Sequence, residues 1–263
     1  MNKRKAQANV ISVVIIASIS IGLIVVLLNY AVYSLESVAQ QAEFENAKTS
    51  MKILAEETIN TILSGVGAEV KFPSRTVRLN FITLNKDLKL VISSNSFGPY
   101  EITLDSNILI VKCYGGEYAS YENQVIYGVY YNPAFVEDIY STPLVQTKWD
   151  INVGRVSAEL NFTRLLLMEY CVSGSSNDEI IIEVAYVDAY WESGTTTSSG
   201  TVEVFYQDSL EEQIYDNAVS GTTTITFELY LDSTLLGSKT ITIEGSHQLK
   251  IKIVKHQILY KLR

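Results

Sequence analysis

The chain is poor in the residues that most often carry chemistry. Its 263 residues include two cysteines, two histidines and four prolines. Cys113 and Cys171 are not part of a CxxC pair, and with only His247 and His256 beside them there are too few donors for a zinc site. On a single strand the odd spacing of the two histidines would put them on opposite faces. There is no glycine-rich phosphate loop, no GxSxG and no HExxH, so enzyme chemistry has no anchor and the chain reads as a non-enzyme without a cofactor or resident metal. Positive charge is scarce too. The formal net charge is -9 and the basic clusters sit at the two ends, which leaves no electrostatic footprint for nucleic acid.

Two further absences shape the N-terminal part: no charge occurs between Lys5 and Glu36, and no proline before Pro73. From Val10 to Leu28 only Ser12, Ser18, Ser20 and Gly22 are neither strongly apolar nor alanine. As a helix this stretch spans the roughly 30 Å hydrocarbon core of a bilayer. Lys3, Arg4 and Lys5 precede it, and positive flanks stay cytoplasmic, so the remainder is directed outward. A secretory signal has a shorter apolar region, although Ser37-Val38-Ala39 would pass as its cleavage site, ahead of Gln40.

The helical pattern does not end with the apolar run. Val32, Leu35, Val38, Ala39, Ala42, Ala47, Met51, Leu54, Ala55, Ile59 and Ile62 recur at helical spacing, with Glu36, Glu43, Glu45, Lys48, Lys52 and Glu56 between them. Ser64-Gly65 and Gly67 supply the stop. The expectation is one helix over 7–65, apolar all round in 7–29 and amphipathic in 30–65, on the order of 85 Å long. Val10, Ile11, Val14, Ile15, Ile21, Val25 and Leu28 would provide apolar packing, and Ala17, Ser18, Ser20 and Gly22 would let a neighbouring helix approach closely.

Lys5-Ala6-Gln7-Ala8-Asn9-Val10-Ile11-Ser12-Val13-Val14-Ile15-Ile16 resembles the start of archaeal type IV pilins and pilin-like proteins, in which a Lys/Arg pair and a Gly or Ala precede a segment like ISPVIATVIL. The resemblance covers about the first 30 residues closely, together with the layout of a long helix followed by a head. It implies a class III signal peptide, residues 1–6, removed by a prepilin peptidase between Ala6 and Gln7. It further implies a membrane-anchored precursor with a cytoplasmic N-terminus, and pilus assembly machinery that builds a homopolymer at the cell surface, with adhesion as a role for the head. Cleavage would remove Lys3, Arg4 and Lys5, the charges costliest to draw through a bilayer. Asn9 stands where many relatives carry proline, and the fifth mature residue would be Ile11, where bacterial-type pilins carry glutamate. The second departure sets the bacterial branch aside. A membrane-anchored extracellular binding module that does not polymerise is the alternative.

Beyond Glu69 the periodicity becomes that of strands. Runs such as LKLVISS, NILIVKC, EIIIEVAYVDAYW, TVEVFY and TITFELYLD are rich in Val, Ile, Thr and Tyr and are separated by turn residues. The fold class expected is α+β, a long N-terminal helix followed by an all-β sandwich-like head over 68–263. The head is large enough for two subdomains, with a seam near Tyr140 to Gly154 or Ser173 to Asp178, and Phe162 to Val172 reads as a buried strand or a short helix. Ser-Gly-Thr-Thr-Thr, at Ser193 and again at Ser220, suits hairpin turns. Asn161 heads the one N-x-[ST] sequon and is a candidate glycan acceptor. Cys113 and Cys171 either remain free thiols or, in an exported chain, form a disulfide; the pairing would close a loop of about 60 residues and contribute roughly 4 kcal/mol. Asp208, Glu211, Glu212 and Asp216 lack a calcium-loop spacing and read as a solvated acidic face. The C-terminal stretch from Leu249 alternates apolar residues with Lys250 and Lys252, as on an edge strand guarded by lysine.

Overall fold

The computed structural model describes residues 3–72, 76–128, 134–172, 178–192 and 200–263, with side chains from Val13 onward. The helical periodicity folds as one uninterrupted helix, α1 (Lys3–Ser64). It ends where the sequence places its stop: Gly65 adopts φ +70°, and its N–H donates to the Thr61 carbonyl at 2.9 Å. That left-handed turn satisfies one of the last helical carbonyls and favours a residue without Cβ.

Among the described residues fifteen strands follow, in three sheets. Five form a helix-facing sheet in the order β2 (Arg78–Leu84), β5 (Ile108–Tyr114), β9 (Arg155–Asn161), β8 (Leu144–Asp150), β6 (Val125–Tyr127). Four form a distal sheet in the order β14 (Thr234–Glu244), β13 (Thr222–Leu231), β3 (Leu88–Ser94), β4 (Tyr100–Asp105). The remaining six run β1 (Ala68–Phe72), β12 (Gly200–Val219), β15 (His247–Leu262), β11 (Glu179–Trp191), β10 (Leu165–Val172), β7 (Phe135–Val136). In this long sheet β11 and β15 pair in parallel, and so do β10 and β7; the other neighbours are antiparallel.

Two apolar cores share the long sheet. Phe44, Met51, Leu54 and Ile59 of α1 pack with Val111 and Cys113 of β5, Val156 and Leu160 of β9, Val202 and Val204 of β12, and Ile258 and Tyr260 of β15. The second core joins Leu90, Ile92, Phe227 and Leu229 of the distal sheet to Ile182 and Val184 of β11 and Ile251 and Ile253 of β15. Along β15 the buried residues change parity, from Leu249, Ile251 and Ile253 to Ile258 and Tyr260, and β11 changes likewise from Ile182 and Val184 to Val187 and Ala189. The β11–β15 register is continuous through this change. Side chains an odd number of residues apart on one strand face opposite ways, so the two cores lie on opposite faces of one sheet.

Several expectations change accordingly. The division of the head runs across the long strands, and the chain visits both lobes repeatedly; Tyr140 to Gly154 falls mostly within β8 and its hairpin turn, and residues 173–177 lie outside the described residues. The terminal strand is not an edge, since β15 lies between β12 and β11. Its lysines meet carboxylates of their own chain: Lys250 with Glu179 (2.7 Å), Lys252 with Glu211 (2.5 Å), Lys255 with Asp188 (2.6 Å) and Lys261 with Glu192 (2.6 Å). The stretch from Phe162 contains a strand, β10, buried only at Leu165, Leu166 and Leu167. Ser220-Gly221 turns β12 into β13, with Gly221 at φ +76°, whereas the copy at 193–197 lies outside the described residues.

Candidate functional site

The feature that sets this molecule apart is the exposure of half its helix. From Val13 to Leu35 every α1 side chain faces solvent, Val25 at 51% and Leu28 at 60% exposure. Val14, Ile15, Ala17, Ser18, Ile21 and Gly22 share this free segment, and a Cβ on Gly22 would touch nothing. The Ser18 hydroxyl donates to the Val14 carbonyl at 2.9 Å, so the segment shows no unpaired hydroxyl there to an apolar surrounding. Its mean hydropathy is 2.5 over the most apolar stretch, none of which is buried, and it is long and apolar enough to cross a membrane. Lys3, Arg4, Lys5, Ala6, Gln7, Val10 and Ile11 lie on the same helix, but their side chains fall outside the described residues.

Burial begins at Gln40. Gln40, Phe44, Ala47, Met51, Leu54, Ala55, Thr58, Ile59 and Ile62 are buried at the three- and four-residue spacing of one helical face. The stripe expected through Val32, Leu35, Val38, Ala39 and Ala42 is therefore continuous in sequence but not in packing, because those five remain exposed.

A collar of polar contacts marks the transition. The Gln40 side-chain carbonyl accepts from the Tyr118 N–H (3.0 Å), and that of Gln41 accepts from the Ser120 N–H (2.7 Å) and hydroxyl (3.1 Å). On another side Glu43 accepts from the N–H of Thr76 (2.8 Å) and from its hydroxyl. The loop after β5 can approach this closely because it begins Gly115-Gly116: a Cβ on Gly116 would collide with the Gln40 side chain. Tyr118 also meets the exposed Tyr33 edge-on, with ring centroids 4.8 Å apart. Deeper in, the Thr58 and Tyr260 hydroxyls share a buried 2.7 Å hydrogen bond, and Ser50 donates to the Lys71 carbonyl at 2.9 Å. Sequence reasoning missed the collar. Its trace is polar residues standing where the stripe calls for apolar ones, together with the Gly-Gly pair.

Two further candidates have definite places in the fold. Asn161, the candidate glycan acceptor, is 7% exposed, and its side-chain oxygen accepts from the Thr163 hydroxyl at 3.0 Å. Cys113 and Cys171 are both free: Cys113 is buried in the helix core, while Cys171 is exposed on β10 of a different sheet. Burial pushes the Cys113 thiol well above its ordinary value and keeps it protonated. Among the described residues no group of His, Cys, Asp and Glu is placed to hold a metal ion; the acidic face of β12 is spent partly on Lys252 and on Gln248, which donates to Asp216 at 2.5 Å.

A second polar cluster lies on the face of the helix-facing sheet turned away from α1. Glu159 contacts Lys112 (2.7 Å) and Lys148 (3.2 Å), and Lys112 also contacts Asp150 (3.2 Å), whose oxygen accepts from the Tyr114 hydroxyl (2.9 Å). Burial works to lower the Lys112 pKa, but the Glu159 hydrogen bond and charge outweigh it and raise it. For Asp150 burial works upward, yet the hydrogen bonds from Tyr114 and Lys112 prevail and lower it. Tyr114 is pushed up to about 12 by burial and by its bond to Asp150. The chain matches no known family, no curated protein and no solved structure.

Proposed function

We propose that this chain is the structural subunit of a surface filament of the archaeal type IV pilus kind, polymerising through the N-terminal segment of α1 and displaying the β-rich head. The observation that carries the reading is the split of one helix into a bare apolar half and a half built into the head. An apolar segment of this length is stable in only two surroundings, lipid or other apolar helices. A filament uses both in turn: lipid holds the precursor, and copies of the same helix replace lipid on assembly. The start that resembles pilins adds a route between the two, with prepilin peptidase removing residues 1–6 and assembly machinery drawing Gln7 onward out of the membrane. Copies of the chain are then its main partners, and the head is free for adhesion.

Sequencing the mature N-terminus of surface material tests this. A start at Gln7 is expected, together with filaments that are absent from cells lacking the chain. A start at Gln40 would detach the head just at its collar and end the filament reading. An intact Met1 would favour the second reading, a monomeric extracellular module held by one transmembrane helix, which the bilayer-length apolar segment also suits.

A further inference from the structure

We propose that Lys112 and Asp150 become joined by an intramolecular isopeptide bond, with Glu159 carrying the protons. This does not rest on the filament reading. The three side chains come from three neighbouring strands, Glu159 on β9 between Lys112 on β5 and Asp150 at the end of β8. The Lys112 Nζ stands 3.2 Å from Asp150 Oδ2 and 2.7 Å from Glu159 Oε1, with side-chain exposures of only 18%, 9% and 6% for Lys112, Asp150 and Glu159. The amine is thus already in contact with the carboxylate it would attack, and held groups of this kind reach effective concentrations of ~10⁵ M or more, which speeds condensation.

The two oxygens of Asp150 are held for different fates. Oδ1 accepts from the backbone N–H of Asn152 (3.0 Å) and of Val153 (3.4 Å) in the turn after β8, a donor pair suited to the negative charge of a tetrahedral intermediate. Oδ2 faces the amine and the Tyr114 hydroxyl. The ion pair is the resting state, favoured by the raised Lys112 and lowered Asp150 pKa values, and proton transfer through Glu159 supplies the free amine and protonated carboxyl that react. Glu159 takes protons from Lys112 Nζ and delivers them to Oδ2 in succession; the nitrogen attacks Cγ, the C–N bond forms, the C–Oδ2 bond breaks, and Oδ2 leaves as water. One ammonium and one carboxylate become one amide and one water, with no oxidant or second reactant. The charges that remain also balance, because Glu159 ends as a carboxylate paired with Lys148 at 3.2 Å. Condensation thus removes two half-buried charges and orphans neither of the others.

The product would tie β5 to β8 across β9. The test is the mass of the purified full chain and a protease digest. The expected results are a protein one water lighter than its sequence and a branched peptide containing both Lys112 and Asp150, a readout that N-terminal processing does not disturb. Lys112→Arg and Asp150→Ala should both abolish the branched peptide. Glu159→Gln should keep the full mass while retaining the wild-type β-sheet circular dichroism; should it fail to fold, Glu159→Asp should form the bond at least tenfold more slowly. Wild-type protein at full sequence mass, with Lys112 and Asp150 in separate peptides, overturns the proposal. A Glu159→Gln variant linked as fast as wild type overturns the role given to Glu159.

Discussion

Residues 13–39 and 40–62 of α1 belong to one helix but answer to different solvents. The upper half interleaves polar side chains with a buried face, and its stability comes from Phe44, Met51, Leu54 and Ile59 in the head. The lower half has no such face, and among the described residues its one ring contact with the head is Tyr33 on Tyr118, so its apolar surface stays available to something outside it. Both halves are helical even though 13–39 is the richer in Val, Ile and Ser, the weaker helix formers. What decides their surroundings is where the apolar side chains can be buried, within the head for one half and outside the chain for the other.

Removing residues 1–39 gives the largest effect. A chain beginning at Gln40 keeps the collar and the whole helix core, so it should be a soluble, folded monomer, whereas the full chain sediments with membranes or as polymer; ultracentrifugation distinguishes them. A truncated head that still sediments would break the comparison. Next in size, Phe44→Ala should lower the unfolding free energy of the head by about 3 to 5 kcal/mol, while Val25→Ala leaves it unchanged, as measured by denaturant titration of both variants. Smaller again, Gln41→Ala removes the acceptor for both Ser120 hydrogen bonds at a partly exposed position and should cost about 1 kcal/mol in the same titration.

The smallest effect is a pH response belonging to the head alone. Burial lowers the His256 pKa below its ordinary value, and its Nδ1 is buried without a partner. Above an imidazole value of about 6.5 both folded and unfolded chains are neutral there, so the contribution is fully present. As the pH falls through that value the unfolded chain binds a proton that the folded one resists, and stability declines toward the depressed folded pKa. His256→Gln should flatten this slope between pH 7 and pH 5, and the slope should be the same in the chain lacking residues 1–39.

The helix was legible because its signals are local: an uncharged run, a three-four spacing and a glycine stop at Gly65. The strands of the head were legible for the same reason. Their neighbours were not. Nothing near Leu249 says that its strand will enter the middle of a sheet, because its partners Ile180 and Asn217 come from other parts of the chain. Lysines that suit an edge suit a central strand equally well when Glu179, Glu211 and Asp188 arrive from neighbouring strands. One trace of the two-faced sheet was present: the apolar alternation of Leu249, Ile251 and Ile253 slips phase before Ile258 and Tyr260. The cluster around Glu159 left no such trace, since Lys112, Asp150 and Glu159 meet only through sheet pairing.

The strands β11, β12 and β15 run from the core that grips the helix into the core that lies farthest from it. A pull on α1 enters the head through the Phe44 to Ile62 face and passes along these strands. Load in that direction acts as shear on hydrogen-bond ladders that must yield together, where a hairpin pulled at its ends would open one bond at a time. Tension applied between α1 and the distal sheet would therefore pass through both cores, and a grip at either end would be felt by both.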